Sequence, residues 1–391
     1  MRQTVEHTGP IYLDYNATAP IRPEALAAML DALHSVGNAS SVHHHGRDAA
    51  ARVDKARRQV GELLGCAPGE IIFTSGATEA NNLALRAASA QGGALVTTAV
   101  EHPAVLETAR SLSAESSAPL VTLPVSADGI VDLAALEASV QGEEVAVVSV
   151  MLANNETGAL ADLASVVRIA RAAGALVHSD ATQYVGRLPV DLDDLDVDLL
   201  SLSAHKFGGP QGVGALFVRR GISLPHRPLL VGGGHEKGWR AGTLNVAGIV
   251  GMGAAAEAAR RQLGDEAPHI TKLRDLLEGE LLAQLPGSHV NGARAPRLPG
   301  VTSITFPGAP ADAVLASMPA IAASDGSACS AGAPSPSHVL LAMGLSREAA
   351  DSTIRFSMGY ATTEQEIRRA IDATLRAVTH VQTVMSGTAG P

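Results

Sequence analysis

Apolar positions along the first two thirds of the chain come in short continuous runs separated by helical patterns. "EIIFTS" (70–75), "GALVTTAV" (93–100), "VAVVSVML" (145–152), "ALVHSDA" (175–181), "VDLLSLSA" (197–204) and "GALFVRR" (214–220) read as buried strands. Between them, "TEANNLALRAAS" (78–89) has helical spacing, and "PAVLETARSLS" opens a helix with Pro103 at its first position. Runs of Val, Leu and Ile without polar alternation belong to strands covered on both faces. Alternation of such runs with helices predicts a mainly parallel α/β sheet flanked by helices. After about residue 260 the texture changes. A helix-like segment (247–284) leads to "GVTSITFP" (300–307), a small-residue loop and a helical end. This predicts a large domain over 15–260 and a smaller α/β domain from 1–14 and 261–391.

"GMGAAA" (251–256) matches the dinucleotide fingerprint, but that fingerprint needs a strand before it and a βα turn around it. Here it sits inside "NVAGIVGMGAAAEAARRQ", a helical stretch of small residues, and reads as tight helix packing.

The 391 residues are 46% hydrophobic and 17% charged, a globular composition. A net charge of −10 argues against direct nucleic-acid binding and against anionic lipid. No apolar run approaches the roughly 20 residues that span a bilayer, and a cytoplasmic location is expected. Two distant cysteines make no disulfide framework, and no C-x-x-C metal spacing exists. "HHH" (43–45) admits a metal reading or a helix-start role.

Ligands of open parallel sheets bind beyond the carboxyl ends of the strands, and polar clusters fall at those ends. "TSGATEANN" (74–82) places small residues and Thr78 at a helix start, a phosphate cradle of free N–H groups and a positive dipole end, or an ordinary cap. "EHPA" places His102 there, in a structural or a chemical role. "ANNETG" places Asn154, Asn155 and Glu156, and "HSDATQ" places Asp180 and Gln183. "SAHKFGGPQGVGAL" places Ser203, His205 and Lys206. A Lys after a buried strand, with an Asp one strand–helix unit upstream, suits pyridoxal 5'-phosphate. The Lys forms a Schiff base, and the Asp keeps the pyridine nitrogen protonated. On spacing alone, a surface Lys in a turn stays open.

Taken in order, "YLDYNATAP", "FTSGATEANNLA", "NNETG", "HSDATQ", "SAHKFGGPQGVGAL", "GGGHEKGWRAGTLN", "SDGSACSAG" and "IRFSMG" cover nearly the whole chain. The sequence resembles cysteine desulfurases of the NifS/IscS type, within the class V aminotransferases of fold-type I pyridoxal-phosphate enzymes. The resemblance implies that Lys206 holds the cofactor and that His102 stacks on its ring and acts catalytically, shuttling protons. It implies that Asp180 pairs with the ring nitrogen and that Gln183 binds the phenolic oxygen. Ala77, Thr78, Ser203 and His205 would line the phosphate, and Asn155 would sit by cofactor and substrate. Thr243 would reach the phosphate of the partner subunit, making a homodimer. Arg355 would clamp the carboxylate of the substrate, L-cysteine, a task suited to a planar fork. Asn38 and His43, in "GNASSVHHHG", would lie near the mouth of the site. Cys329 would take the sulfur as a persulfide, leaving L-alanine, and pass it to an acceptor protein, a scaffold or carrier. Possible destinations are iron–sulfur assembly, nitrogenase maturation, and thio-modification of tRNA or DNA. Such a thiol has to be activated and accessible, which suits the loop "ASDGSACSAGAPSPS" (323–337). Cys66, after an apolar helical segment, reads as a small packed hydrophobe.

Two positions depart from the family pattern: Asp325 stands where Ser is commoner, and Gln211 where Lys is usual. Two rival readings share the fold. One is another class V aminotransferase or a selenocysteine lyase. The other is a non-catalytic subunit that carries sulfur or binds partners.

Overall fold

The computed structural model describes residues 9–142, 144–325 and 336–387. From the amino end, β1 (Ile11–Tyr12) is followed by helices α1 (Pro23–Leu33) and α2 (His44–Leu64). His43 starts α2, its Nδ1 accepting from the Gly46 amide at 3.2 Å, so the helix-start reading of the histidine run applies to His43. Among the described residues no group of His, Cys, Asp or Glu has the makings of a metal site.

The large sheet contains β2 (Ile71–Thr74), β3 (Ala94–Thr98), β4 (Leu120–Leu123), β5 (Val145–Ser149), β6 (Leu176–Asp180), β7 (Leu199–Ser203) and β8 (Gly214–Val218). Their order is β2-β8-β7-β6-β5-β3-β4. The five strands from β7 to β4 run parallel, and β8 is antiparallel to both neighbours, β7 and β2. Successive residues serve opposite faces, which is why the runs show no polar alternation. Leu95, Val147 and Leu199 enter one apolar core, and Val96, Val148 and Leu200 enter the other. Helix α3 (Ala77–Ser89) follows β2, and α4 (Pro103–Ser116) follows β3.

A second core gathers around β9 (His289–Val290), β10 (Val301–Thr305) and β12 (Thr353–Ser357), which form an antiparallel sheet of order β12-β10-β9. A two-stranded parallel ladder joins β1 to β11 (Ile321–Ala322), with Ile11 opposite Ile321. Ile11 and Leu13 thereby enter the second core beside Phe306, Phe356 and Ile367.

One long helix, Val246–Gln284, belongs to both cores. Ile249 and Met252 pack in the first, while Leu273, Leu277 and Leu281 pack in the second. The fingerprint-like "GMGAAA" lies within this helix. A Cβ on Gly253 would come 2.6 Å from Ala56 Cα of α2, so the small residue permits close helix contact. Among the described residues no helix is long and apolar enough to cross a membrane.

Candidate active site

A cleft of about 450 Å3 opens beyond the carboxyl ends of the parallel strands. It is lined in part by Ala77, Thr78, His102, Asn155, Asp180, Gln183, Ser203, His205, Lys206 and Arg355. Sheet register explains the convergence. Asp180 ends β6 opposite Ser201 of β7, while Ser203 ends β7 opposite Gly214 of β8, which also faces Thr74 of β2. A Cβ on Gly214 would lie 2.6 Å from Gly76 Cα and from the Leu202 carbonyl. The missing side chain thus lets the start of α3 approach the strand ends.

Helix α3 begins at Gly76 without a side-chain cap, and the hydroxyl of Ser203 lies nearby. Its first-turn N–H groups and dipole end therefore face the cleft, an arrangement that suits an anion. His205 Nδ1 is 3.1 Å from Thr18 Oγ1. Burial first, then the charges of Lys206 and Arg187, push its pKa down to about 4. It is neutral at neutral pH.

Asp180 is 4% exposed. It accepts from Asn81 Nδ2 of α3 at 2.7 Å and from the Thr182 amide at 2.9 Å. His102 caps α4 and stands within reach of the same cleft. Its Nδ1 accepts from the Ala104 amide at 3.1 Å, which leaves Nε2 as the protonated nitrogen of the neutral ring. Burial lowers its pKa, Asp180 raises it and Lys206 lowers it further.

Lys206 follows β7 in a single helical turn, and its Nζ donates to the carbonyls of Asn16 and Ala17 at 2.5 and 2.9 Å. Gln183 Nε2 donates to the same Asn16 carbonyl at 3.0 Å, while its Oε1 is buried without a partner. Arg355, 2% exposed in β12, donates to the Asn155 carbonyl at 3.1 Å and pairs with Asp14 at 2.7 Å. Its Nε is buried and unpartnered. The orphaned Gln183 Oε1, Thr182 Oγ1 and Arg355 Nε, with the uncapped start of α3, are chemically suited to a polar phosphorylated ring with a carboxylate beside it. These donors, with Gln183 Oε1 as an acceptor beside them, fit pyridoxal 5'-phosphate.

Other expected residues lie elsewhere. Thr243 and Asn38 are exposed and do not line the cleft, and the Asn38 side chain accepts from the Ser40 amide. His43 is exposed at the start of α2. Cys329 lies outside the described residues. Its flanks are fastened near the cleft: Ser324 pairs through its backbone with Arg355, and the Ser337 hydroxyl donates to the buried carboxylate of Glu156. Cys66 packs against the first core, and burial pushes its thiol up to about 12, consistent with an inert role. Gln211 lines the cleft rim near Thr18.

Sequence reasoning passed over Asn16, Arg187 and Glu101. Asn16 is 1% exposed within "YLDYNATAP". A polar residue so soon after a strand was the available signal. Glu101, next to His102, is fully buried. One oxygen accepts from Thr98 Oγ1 and the Met151 amide, and the other has no partner. Burial above all pushes its pKa up to about 8.

Comparison with known proteins shows the family and the fold. Residues 11–370 match the family model described as aminotransferase class-V. A cysteine desulfurase IscS of Anaeromyxobacter dehalogenans (strain 2CP-C) is 44% identical over 93% of this chain and 91% of its own. A cysteine desulfurase of Frankia sp. (strain EuIK1) is also 44% identical, over 97% of this chain and 93% of its own. The X-ray structure of a NifS-like protein from Rickettsia africae ESF-5 superposes with a TM-score of 0.85 at 32% identity, covering 95% of this chain and 99% of that one.

Proposed function

This chain belongs to the aminotransferase class-V family, and on that premise we propose how its cleft works as a cysteine desulfurase. L-cysteine gives up its sulfur, L-alanine leaves, and the sulfur passes to Cys329. One observation carries the reading: Lys206, Asp180, His102 and Gln183 converge in a cleft that also holds the uncapped start of α3.

Pyridoxal 5'-phosphate bound here would supply an electron sink for charge developing at the substrate Cα. Lys206 is the anchoring amine. Its Nζ would be placed to take the substrate Cα proton and return it. Asp180, buried and held by Asn81 Nδ2 and the Thr182 amide, would face the ring nitrogen and hold a proton there. Gln183 orients the phenolic oxygen. Ala77, Thr78, Ser203 and His205 receive the phosphate at the start of α3. His102 offers a neutral ring face for stacking. Asn155 and Arg355 position the substrate carboxylate. The thiolate of Cys329 attacks the substrate sulfur. A sulfur–sulfur bond forms, the substrate carbon–sulfur bond breaks, and its electron pair goes to carbon.

The active unit is a homodimer in which Thr243 serves the partner's phosphate, and an acceptor protein collects the sulfur. The test is direct. Purified protein loaded with pyridoxal 5'-phosphate is given L-cysteine, and alanine and sulfide are measured. Equimolar release supports the reading. Transamination of a keto acid without sulfur release would assign the chain to a different class V activity.

A further inference from the structure

Arg187 lies just beyond the "HSDATQ" stretch and, with Lys206, lines a small cavity next to the cleft. Nη1 donates to Asn16 Oδ1, and Nη2 donates to the Tyr15 carbonyl at 3.1 Å. Among the described residues no carboxylate lies within ion-pair distance of it. The charge acting on it is a second cation, Arg355. Burial, then Arg355, push its pKa down to about 9. A half-buried cation with no carboxylate beside it is less favourable in the fold than a neutral side chain that fills the same space. Its contacts therefore have to account for its presence.

Those contacts converge on Asn16, whose every polar group is engaged. Its amide donates to Ser357 Oγ at 2.9 Å, and its Nδ2 donates to the Asn155 carbonyl at 2.8 Å. Its carbonyl accepts from Lys206 Nζ and Gln183 Nε2. Arginine only donates, so the atom facing Arg187 has to be the Asn16 oxygen. That fixes the amide and sends Nδ2 to Asn155, whose carbonyl also holds Arg355. The grip on Tyr15 fixes the preceding peptide unit as well. A neutral Lys206 amine has two N–H groups and one lone pair. With both N–H groups directed to Asn16 and Ala17, the lone pair is directed away from those carbonyls.

We infer that Arg187 is a positioning residue: acting through Asn16, it fixes the carbonyl on which the Lys206 amine is held, and couples that amine to the Asn155–Arg355 contact. The inference rests on the reading that Lys206 carries the cofactor.

The experiment uses the full chain with pyridoxal 5'-phosphate. Borohydride reduction and peptide mapping give the rate at which Lys206 is labelled. Single turnover of L-cysteine to L-alanine gives the chemical rate, and thermal melting of the apoprotein reports stability. In Arg187→Met, Lys206 labelling and alanine formation at saturating L-cysteine slow about tenfold or more, with the melting midpoint unchanged or raised. Arg187→Lys, which still reaches Asn16 Oδ1, recovers most of both rates. Added to Asn16→Ala, Arg187→Met changes either rate less than about threefold, because the two act as one unit. Native-like rates in Arg187→Met, or fully additive losses in the double variant, overturn the inference. If Arg187→Met does not fold, Arg187→Gln, which removes the charge and keeps a polar side chain, replaces it alone and together with Asn16→Ala, with the same outcomes expected. A native protein unlabelled at Lys206 overturns the cofactor reading and this inference with it. Labelling without alanine formation in the native protein overturns only the desulfurase assignment, and the labelling rates still decide the role of Arg187.

Discussion

At Arg355 a fork of donors meets the Asn155 carbonyl and Asp14 and keeps an unpartnered Nε, which the proposed function directs to a substrate carboxylate. Lysine keeps the charge but not the fork. Arg355→Lys should raise KM for L-cysteine about tenfold with a smaller effect on kcat, since it removes binding shared by ground and transition states. Cys329→Ala should retain cofactor binding while alanine turnover falls on the order of a thousandfold. Steady-state kinetics beside cofactor absorbance check both. Glu101 yields a pH signature. Its carboxyl is raised to about 8 in the fold, so the folded state holds a proton that the unfolded chain releases near the ordinary carboxylate range. The resulting stabilisation is complete below that range and is lost as pH rises toward 8. Glu101→Gln removes the dependence. Melting curves should favour the variant increasingly between pH 5 and pH 8, and parallel curves would exclude this account.

At the scale of elements, Gly214 sets how closely α3 approaches the strand ends. A methyl group there meets backbone on both sides, Gly76 Cα and the Leu202 carbonyl, each 2.6 Å away. Gly214→Ala should push α3 off the strand ends, destabilise the fold by about 1–3 kcal/mol and weaken cofactor binding, measured by equilibrium dialysis. The strands that end in the cleft were legible because burial on both faces writes itself as uninterrupted apolar runs, and α3 and α4 announced themselves by spacing and by Pro103. The reversal of β8 was not legible. "GALFVRR" reads alike in either direction, and only the hydrogen-bonded partners decide. β4 was missed because its residues are mostly half-exposed at the sheet edge, giving a weak apolar signal. Residues that touch the cleft with their side chains stood out at strand ends. Asn16 did not, because its backbone carbonyl receives Lys206 and Gln183, and sequence does not say where a carbonyl points; Arg187 did not, because its partners Asn16 and Tyr15 are 171 and 172 residues away in sequence.

For the whole molecule, exposed Thr243 lies outside its own chain's cleft, as a residue serving a neighbour would. Sedimentation should give twice the chain mass. Mixing Thr243→Ala with Lys206→Ala chains at limiting cofactor should restore up to about a quarter of native activity, since half of randomly formed symmetric dimers hold one intact site. No recovery would place Thr243 in its own subunit's service. The pairing of β1 with β11 bears on biosynthesis. Asn16 and Ala17, which hold the Lys206 amine, hang from a strand whose partner is Ile321–Ala322. During translation the amino-proximal strand must wait, unpaired, until some three hundred further residues have left the ribosome. A nascent chain halted before residue 321 can complete its large sheet, yet its lysine lacks a settled seat.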